Sequence, residues 1–370
     1  MIKALAKRSD ILKKKYAFFI NRILTYLMFL LIPIYIESIG KMNLFTQSVI
    51  LIIYMFFMGG QWYLLGKEVD HRFKIYYKAN SSIERILYRL VLGTVLTIVL
   101  FNIFSLFPYS VSQVLFWIFY ACVGLFYSWP TRGKIIEESM TGQFGEYKFL
   151  DSFERTVLVT ATIMFFVSVP QIPLFQNIDA LKIYLDPGEN IHFFIWNFLN
   201  INYVPFASNA KLFNLAWNFH FYFLGLGTYL MAFYALLRFF FSRRLSILGV
   251  FAIISTWSFS LILTNNIAQS FTTTFLLIWV WSNLWSIKSE TYRSGLFTGL
   301  VLAFGVMINI QYIYLVPITL CFTYFNFLKQ KTTWYKRQWL KYNTLGVALS
   351  LIIIFTHFEL GKVFQGIGFS

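Results

Sequence analysis

The sequence predicts an all-α fold: a polytopic bundle of transmembrane helices with about 11 membrane crossings and a cytoplasmic N-terminus. Three observations carry this. Hydrophobic residues make up 58% of the chain and charged residues 12%, whereas a soluble domain is about a quarter charged. Apolar runs recur at roughly the 20-residue length that crosses a hydrocarbon core as a helix, and lipid forces such runs to satisfy their own backbone hydrogen bonds. The cations are partitioned as well. Of the 31 Lys and Arg, 27 fall on one side of the resulting topology, and only Lys41, Lys182, Lys211 and Lys362 on the other. Basic residues concentrate in cytoplasmic loops, so this asymmetry sets the orientation.

The same partition explains the net charge of +16. It argues against a nucleic-acid partner and for contact with membrane lipids, whose anionic headgroups attract such loops. Cys122 and Cys321 each stand inside an apolar run, far from a second thiol or a metal-spaced histidine. No small-residue cleavage site follows the basic leader (Lys3 to Arg22), so a removable signal peptide is not expected.

In chain order, spans are expected near Tyr16–Ile36, Leu44–Leu65, Leu90–Leu106 and Val111–Trp129. They make residues 1–130 an N-terminal four-helix membrane module. Thr131–Arg155 carries Glu137, Glu138, Glu146, Asp151 and Glu154 among basic residues and reads as a cytoplasmic amphipathic connector. The second membrane module, 156–370, opens with a span at Thr156–Val169 and an external loop over 170–211. Within that loop Ile191–Leu199 is aromatic-rich and predicts an interfacial helix.

Further spans are expected at Leu212–Phe241, Leu245–Leu263 and Phe271–Ile287. Gly295–Leu328 has basic residues at both ends, which demands an even number of crossings, so it predicts two short helices broken near Asn309-Ile310-Gln311. Broken backbone at such depth must be buried in protein or line a cavity. Pro33 and Pro317 are expected to kink their helices. A last span at Leu345–Thr356 leads outside, and the final residues, Gly361–Ser370, read as the opening of a loop with more chain to follow.

The external loop holds the residues best suited to chemistry. Asp186, Glu189 and His192 are three apart and share one face if helical. Asp186 before Pro187, with Glu189 behind, also matches the start of a helix with a capping box. The catalytic alternative is a carboxylate at the membrane surface serving as general base for an acceptor hydroxyl. No metal site is assigned, and a divalent metal held by Asp186, Glu189 and His192 stays open. His220 stands alone inside a span, either as a proton-bearing functional group or as a neutral ring hydrogen-bonded between helices.

From about Arg155 to Lys329 the order of parts resembles the GT-C superfamily of integral-membrane glycosyltransferases, which includes protein mannosyltransferases and lipid A aminoarabinose transferases. The likeness rests on the acidic external loop and the basic turn Ala235-Leu-Leu-Arg-Phe-Phe-Phe-Ser-Arg-Arg244. It continues in the polar turn closing Ser255–Asn266 and the glycine-rich start Tyr292-Arg-Ser-Gly-Leu-Phe-Thr-Gly299. The resemblance implies transfer of a sugar from a polyprenyl-phosphate carrier to an extracytoplasmic acceptor, in a bacterial inner (plasma) membrane. It assigns catalysis to Asp186, with Asp179 and Glu189 as substitutes, and substrate contacts to His192, Lys182, Lys211, Asn265 and Asn266. The family's acid follows its first span, whereas here the span that leads into the acidic loop has four others before it.

A second likeness covers residues 44–134. Tyr127-Ser-Trp-Pro-Thr-Arg-Gly-Lys134 resembles a stretch of UbiA-type prenyltransferases, and Glu68-Val-Asp70-His-Arg72 stands where that family carries its aspartate-rich motif. Magnesium needs several oxygen ligands, and Gln61–Gly66 contains no acid. A third class, a non-catalytic membrane subunit of a complex (scaffold or permease), needs none of these side chains.

Overall fold

The computed structural model describes residues 31–73, 82–105, 109–128, 193–256, 267–289 and 291–355, with a few isolated positions besides. Every described element is helical. Among the described residues two helices, Leu44–Asp70 and Ile83–Phe104, are long and apolar enough to cross a membrane.

The first described pair is α1 (Ile32–Lys41) and α2 (Leu44–Phe73). The turn between them is built by two side chains. Asn43 caps α2, its Oδ1 accepting from the amide of Thr46 at 2.8 Å and from its hydroxyl at 2.7 Å. Gln47, almost wholly buried, donates from Nε2 to the carbonyls of Ile39, Gly40 and Met42. The Ile39 carbonyl also accepts from Met42 N at 3.1 Å, so the Gln47 amide, from α2, completes the close of α1.

Helix α3 (Ser82–Phe104) runs antiparallel to α2, because Gly66 meets the backbone at Arg89 while Gly93 meets it at Trp62. A Cβ on either glycine would strike backbone, so only hydrogen allows the axes this close. Small residues at helix crossings are the usual device for packing helices without a hydrophobic drive between them. Helix α4 (Tyr109–Ser128) comes next, and its Ser112 hydroxyl donates back to the Phe104 carbonyl at 2.8 Å.

The second half begins at α5 (Phe193–Asn202), a 3-10 turn (Val204–Phe206) and α6 (Ala210–Phe219). A π-helical turn, His220–Gly225, joins α6 to α7 (Leu226–Phe240). Helices α8 (Arg243–Ile254) and α9 (Ile267–Lys288) precede α10 (Ser294–Ile308), all of whose 15 residues are buried. A 3-10 turn (Ile310–Tyr314), α11 (Leu315–Cys321), a π turn (Phe322–Phe327) and α12 (Thr333–Phe355) complete the set.

Contacts fix the directions. Ser286 bonds Thr298 and Phe275 packs on Phe304, so α9 and α10 are antiparallel. Trp279 bonds Thr319 and Asn283 bonds Thr323, so α11 with its π turn runs parallel to α9 and back along α10. Helix α12 runs parallel to α10 over a Gly-x-x-x-Gly face. Gly295 abuts Trp339 and Asn343, Gly299 abuts Asn343, and Gly346 abuts Gly299. Asn343 Nδ2 donates to the Gly295 carbonyl at 3.3 Å.

One core runs through elements on both sides of the 131–155 connector, with Tyr88 against Trp285 and Phe297, and Trp62 against Phe198.

Several expectations are corrected. The aromatic run at Ile191–Leu199 does form a helix, but α5 is a core element: Phe194, Ile195, Phe198 and Leu199 are all buried against α3 and its neighbours. The span expected at Leu212–Phe241 is interrupted by the π turn. The last helix starts at Thr333, so Lys336, Arg337 and Lys341 lie on its first turns rather than before it. Pro33 and Pro317 each sit in the first turn of a helix, where a missing N–H is tolerated. The predicted break is present, since α10 ends at Ile308 and Asn309 caps the next turn through Gln311 N at 2.9 Å. The segment 129–151, most of 152–192 and the leader through Arg22 lie outside the described residues.

Candidate functional site

Most of the expected site lies beyond what the structure describes: Asp179, Lys182, Asp186, Glu189, His192, Asn265 and Asn266. Lys211 is described. It is exposed on the first turn of α6, behind the cap formed when Asn209 Oδ1 accepts from Leu212 N at 3.1 Å. Asn209 packs against Gly40, so the starts of α6 and the end of α1 with Lys41 share one end of the bundle.

What the structure does show is the platform onto which the acidic loop delivers the chain. Helix α5, beginning at Phe193, brings Asn197, Asn200 and Asn202 into the core. Asn197 Nδ2 donates to Asn102 Oδ1 at 3.3 Å and to Ser105 Oγ at 3.2 Å. Asn102 Nδ2 in turn donates to the carbonyls of Ile98 and Phe194, both at 2.9 Å. At the other end of α5, the Tyr54 hydroxyl donates to the Asn202 carbonyl at 2.6 Å, and the Tyr120 hydroxyl donates to Asn202 Oδ1 at 3.0 Å. Trp62 Nε1 donates to the Tyr120 oxygen at 3.1 Å. Both polar atoms of the Asn200 amide are buried without a protein partner, as is Asn202 Nδ2.

Beside this network the Tyr203 hydroxyl lies 2.7 Å from His220 Nδ1 and 3.1 Å from Met55 Sδ. His220 opens the π turn, a backbone irregularity that recurs at functional positions. Its ring lines a cavity of about 50 Å³ with Trp62, Phe198, Thr228, Phe271 and Thr274. The Thr274 hydroxyl is buried there with no protein partner. The space exceeds the roughly 10–15 Å³ that one water requires. This histidine is therefore a bonded ring between helices, facing a small hollow.

A second buried cluster sits where α2 ends. Asp70 Oδ2 accepts from Arg89 Nε at 3.0 Å, and Arg89 also donates to the Tyr63 hydroxyl at 3.0 Å. Glu68 pairs with Arg72 at 2.7 Å. Lys67 on α2 and Glu84 on α3 are buried as well. The carboxylate expected to stand in an aspartate-rich motif is thus committed to a guanidinium. Among the described residues no three His, Cys, Asp or Glu are grouped to hold a metal ion.

The sequence does contain a signal for the α5 network: three amides at spacings of three and two, Asn197-Phe-Leu-Asn200-Ile-Asn202, in an apolar run. Polar side chains at such depth cluster on the bundle interior. Tyr54, Tyr120 and Tyr203 carried no comparable signal, because 23 tyrosines are scattered through the chain. No family model matches the chain, and no curated protein or solved structure is significantly similar to it.

Proposed function

We propose that the chain is a polytopic integral-membrane protein of the inner membrane type, working as a lipid-carrier-dependent glycosyltransferase on the extracytoplasmic side. The observation that carries the membrane part is the outward face of its helices. Phe45, Val49, Ile53 and Phe56 form one exposed stripe on α2, and Val111, Val114 and Ile118 another on α4. Leu345, Ile352 and Phe355 do the same on α12. Large apolar faces of this kind are stable against lipid, not water.

The two ends of the bundle support the orientation. One end gathers the close of α2, where Arg293 donates to the Phe73 carbonyl at 2.8 Å, with the starts of α10 and α12 and the close of α9, where Lys288 lies over Phe239. All of these are cytoplasmic by the charge rule. The other end gathers Gly40-Lys41 with Asn209-Lys211, both assigned outside. The eleven crossings expected from the sequence are part of this reading.

The catalytic part rests on the loop before α5. Its downstream stem is held in the core by the Asn102–Asn197 and Tyr54–Asn202 bonds, which supports a rigid base for the acid-bearing segment that precedes it in the chain. Rigid elements beneath a loop are what position its functional groups. In this reading Asp186 abstracts the acceptor proton, Asp179 or Glu189 assists, and Lys182 and Lys211 face the carrier phosphate. Replacing Asp186, Asp179 and Glu189 singly by Asn should abolish a host glycan in at least one variant, with the protein still in the membrane. Unchanged glycans in all three variants contradict the enzymatic reading.

One observation favours a second reading, a non-catalytic subunit or permease. The helix break at Asn309, followed by the exposed Gln311 and Tyr314, is the kind of discontinuity that lines a path. Unchanged glycans with altered solute uptake in Asn309→Leu would select it. The prenyltransferase alternative is disfavoured by the Asp70–Arg89 pair.

A further inference from the structure

The geometry points to a site for one anionic phospholipid on the inner half of α12, resting on the membrane assignment made above. A space of about 680 Å³ lies against one face of this helix, and its described lining, all on α12, includes Arg337, Lys341, Leu345 and Ala348. Arg337 and Lys341 are exposed and one turn apart. Neither has a protein partner among the described residues. The neighbouring ammoniums are occupied, Lys331 over the Tyr335 ring at 5.2 Å and Lys336 over Tyr324 at 5.6 Å.

Two like charges one turn apart repel each other. No acidic residue occurs between Glu290 and Glu359 to offset them. An external anion would supply a counter-charge to the pair. Toward the C-terminus this face turns apolar, and Leu345 to Ala348 lie about 12–16 Å along the axis from Arg337. A phosphate bound at the two cations would therefore lay its acyl chain along Leu345 and Ala348. A free phosphate uses only the first half of this surface, so the charge and the apolar wall together select a phospholipid. Basic niches on cytoplasmic helix ends commonly hold such headgroups.

The test uses the full chain in phosphatidylcholine vesicles containing spin-labelled phosphatidylglycerol, reading the motionally restricted fraction by electron paramagnetic resonance. Arg337→Gln/Lys341→Gln should weaken phosphatidylglycerol binding by about 30-fold, at roughly fivefold per removed cation. Ala348→Trp should weaken it with the charge intact. Arg243→Gln/Arg244→Gln, an equal charge change on α8, should leave it unaltered. Undiminished binding in the α12 charge variant, an equal loss in the α8 variant, or full displacement by inorganic phosphate overturns the site. Alkaline carbonate treatment of the same vesicles separates the two claims. A carbonate-resistant protein without specific lipid sinks the site alone, and an extracted wild-type protein sinks the membrane assignment with it.

Discussion

The hydroxyl of Tyr203 sits 2.7 Å from Nδ1 of His220, joining the 3-10 turn after α5 to the π turn that opens α7. Both groups are wholly enclosed, with Trp62, Phe198 and Phe271 around the imidazole. The bond thus ties the end of α5 to an irregular helix in the core. Removing one partner of a buried hydrogen bond costs about 1–3 kcal/mol, because the other is left without compensation. Tyr203→Phe should lower thermal stability in detergent by this much. With His220→Leu added, the double variant should lose less than the sum of the two single losses. Strict additivity would mean the bond carries no coupling.

Arg89 and Asp70 behave as a buried pair. Arg89→Met strips the Asp70 carboxylate of its guanidinium, and removing one partner of a buried pair costs about 3–5 kcal/mol. Asp70→Leu combined with Arg89→Met should recover most of that loss, since an apolar pair of similar volume is often neutral at such sites. Urea or thermal unfolding of the three variants decides the matter, and a double variant as poor as the single one contradicts it.

The glycines separate into two kinds. A Cβ at Gly299 would strike the Asn343 backbone, so Gly299→Ala should push α10 from α12 and lower the melting temperature. At Gly60 and Gly227 the added methyl meets nothing, and Ala there should stabilise each helix by about 0.5–1 kcal/mol. Melting temperatures of the three single variants check the contrast. Equal effects would show that the glycine contact is not what holds α10 to α12.

Much of the helical frame was legible in the sequence, and the reasons are physical. The break at Asn309 could be placed because like charges at both ends of one apolar stretch force a return, and the structure ends α10 at Ile308. The burial of α5 could not. When every face of a segment is apolar or aromatic, composition does not distinguish a helix facing lipid from one facing protein. The π turn at His220–Gly225 was hidden for the same reason, since a register change leaves no mark in a run of uniform hydropathy. The start of α12 was misplaced because its first turns mix Lys336, Arg337 and Lys341 with Trp334 and Trp339, a pattern that resembles a loop. The pairing of Asp70 with Arg89 crosses between two helices 19 positions apart, which spacing alone does not reveal.

The central claim is that the acid-bearing loop and the basic end of α12 face opposite sides of a membrane. Single cysteines at Glu189→Cys, Lys211→Cys and Arg337→Cys, in a chain with Cys122→Ser and Cys321→Ser, test it directly with a membrane-impermeant maleimide on intact cells. Labelling of positions 189 and 211 in intact cells, with position 337 labelled only after lysis, is the predicted result. Labelling of position 337 in intact cells, or of position 189 only after lysis, contradicts the account.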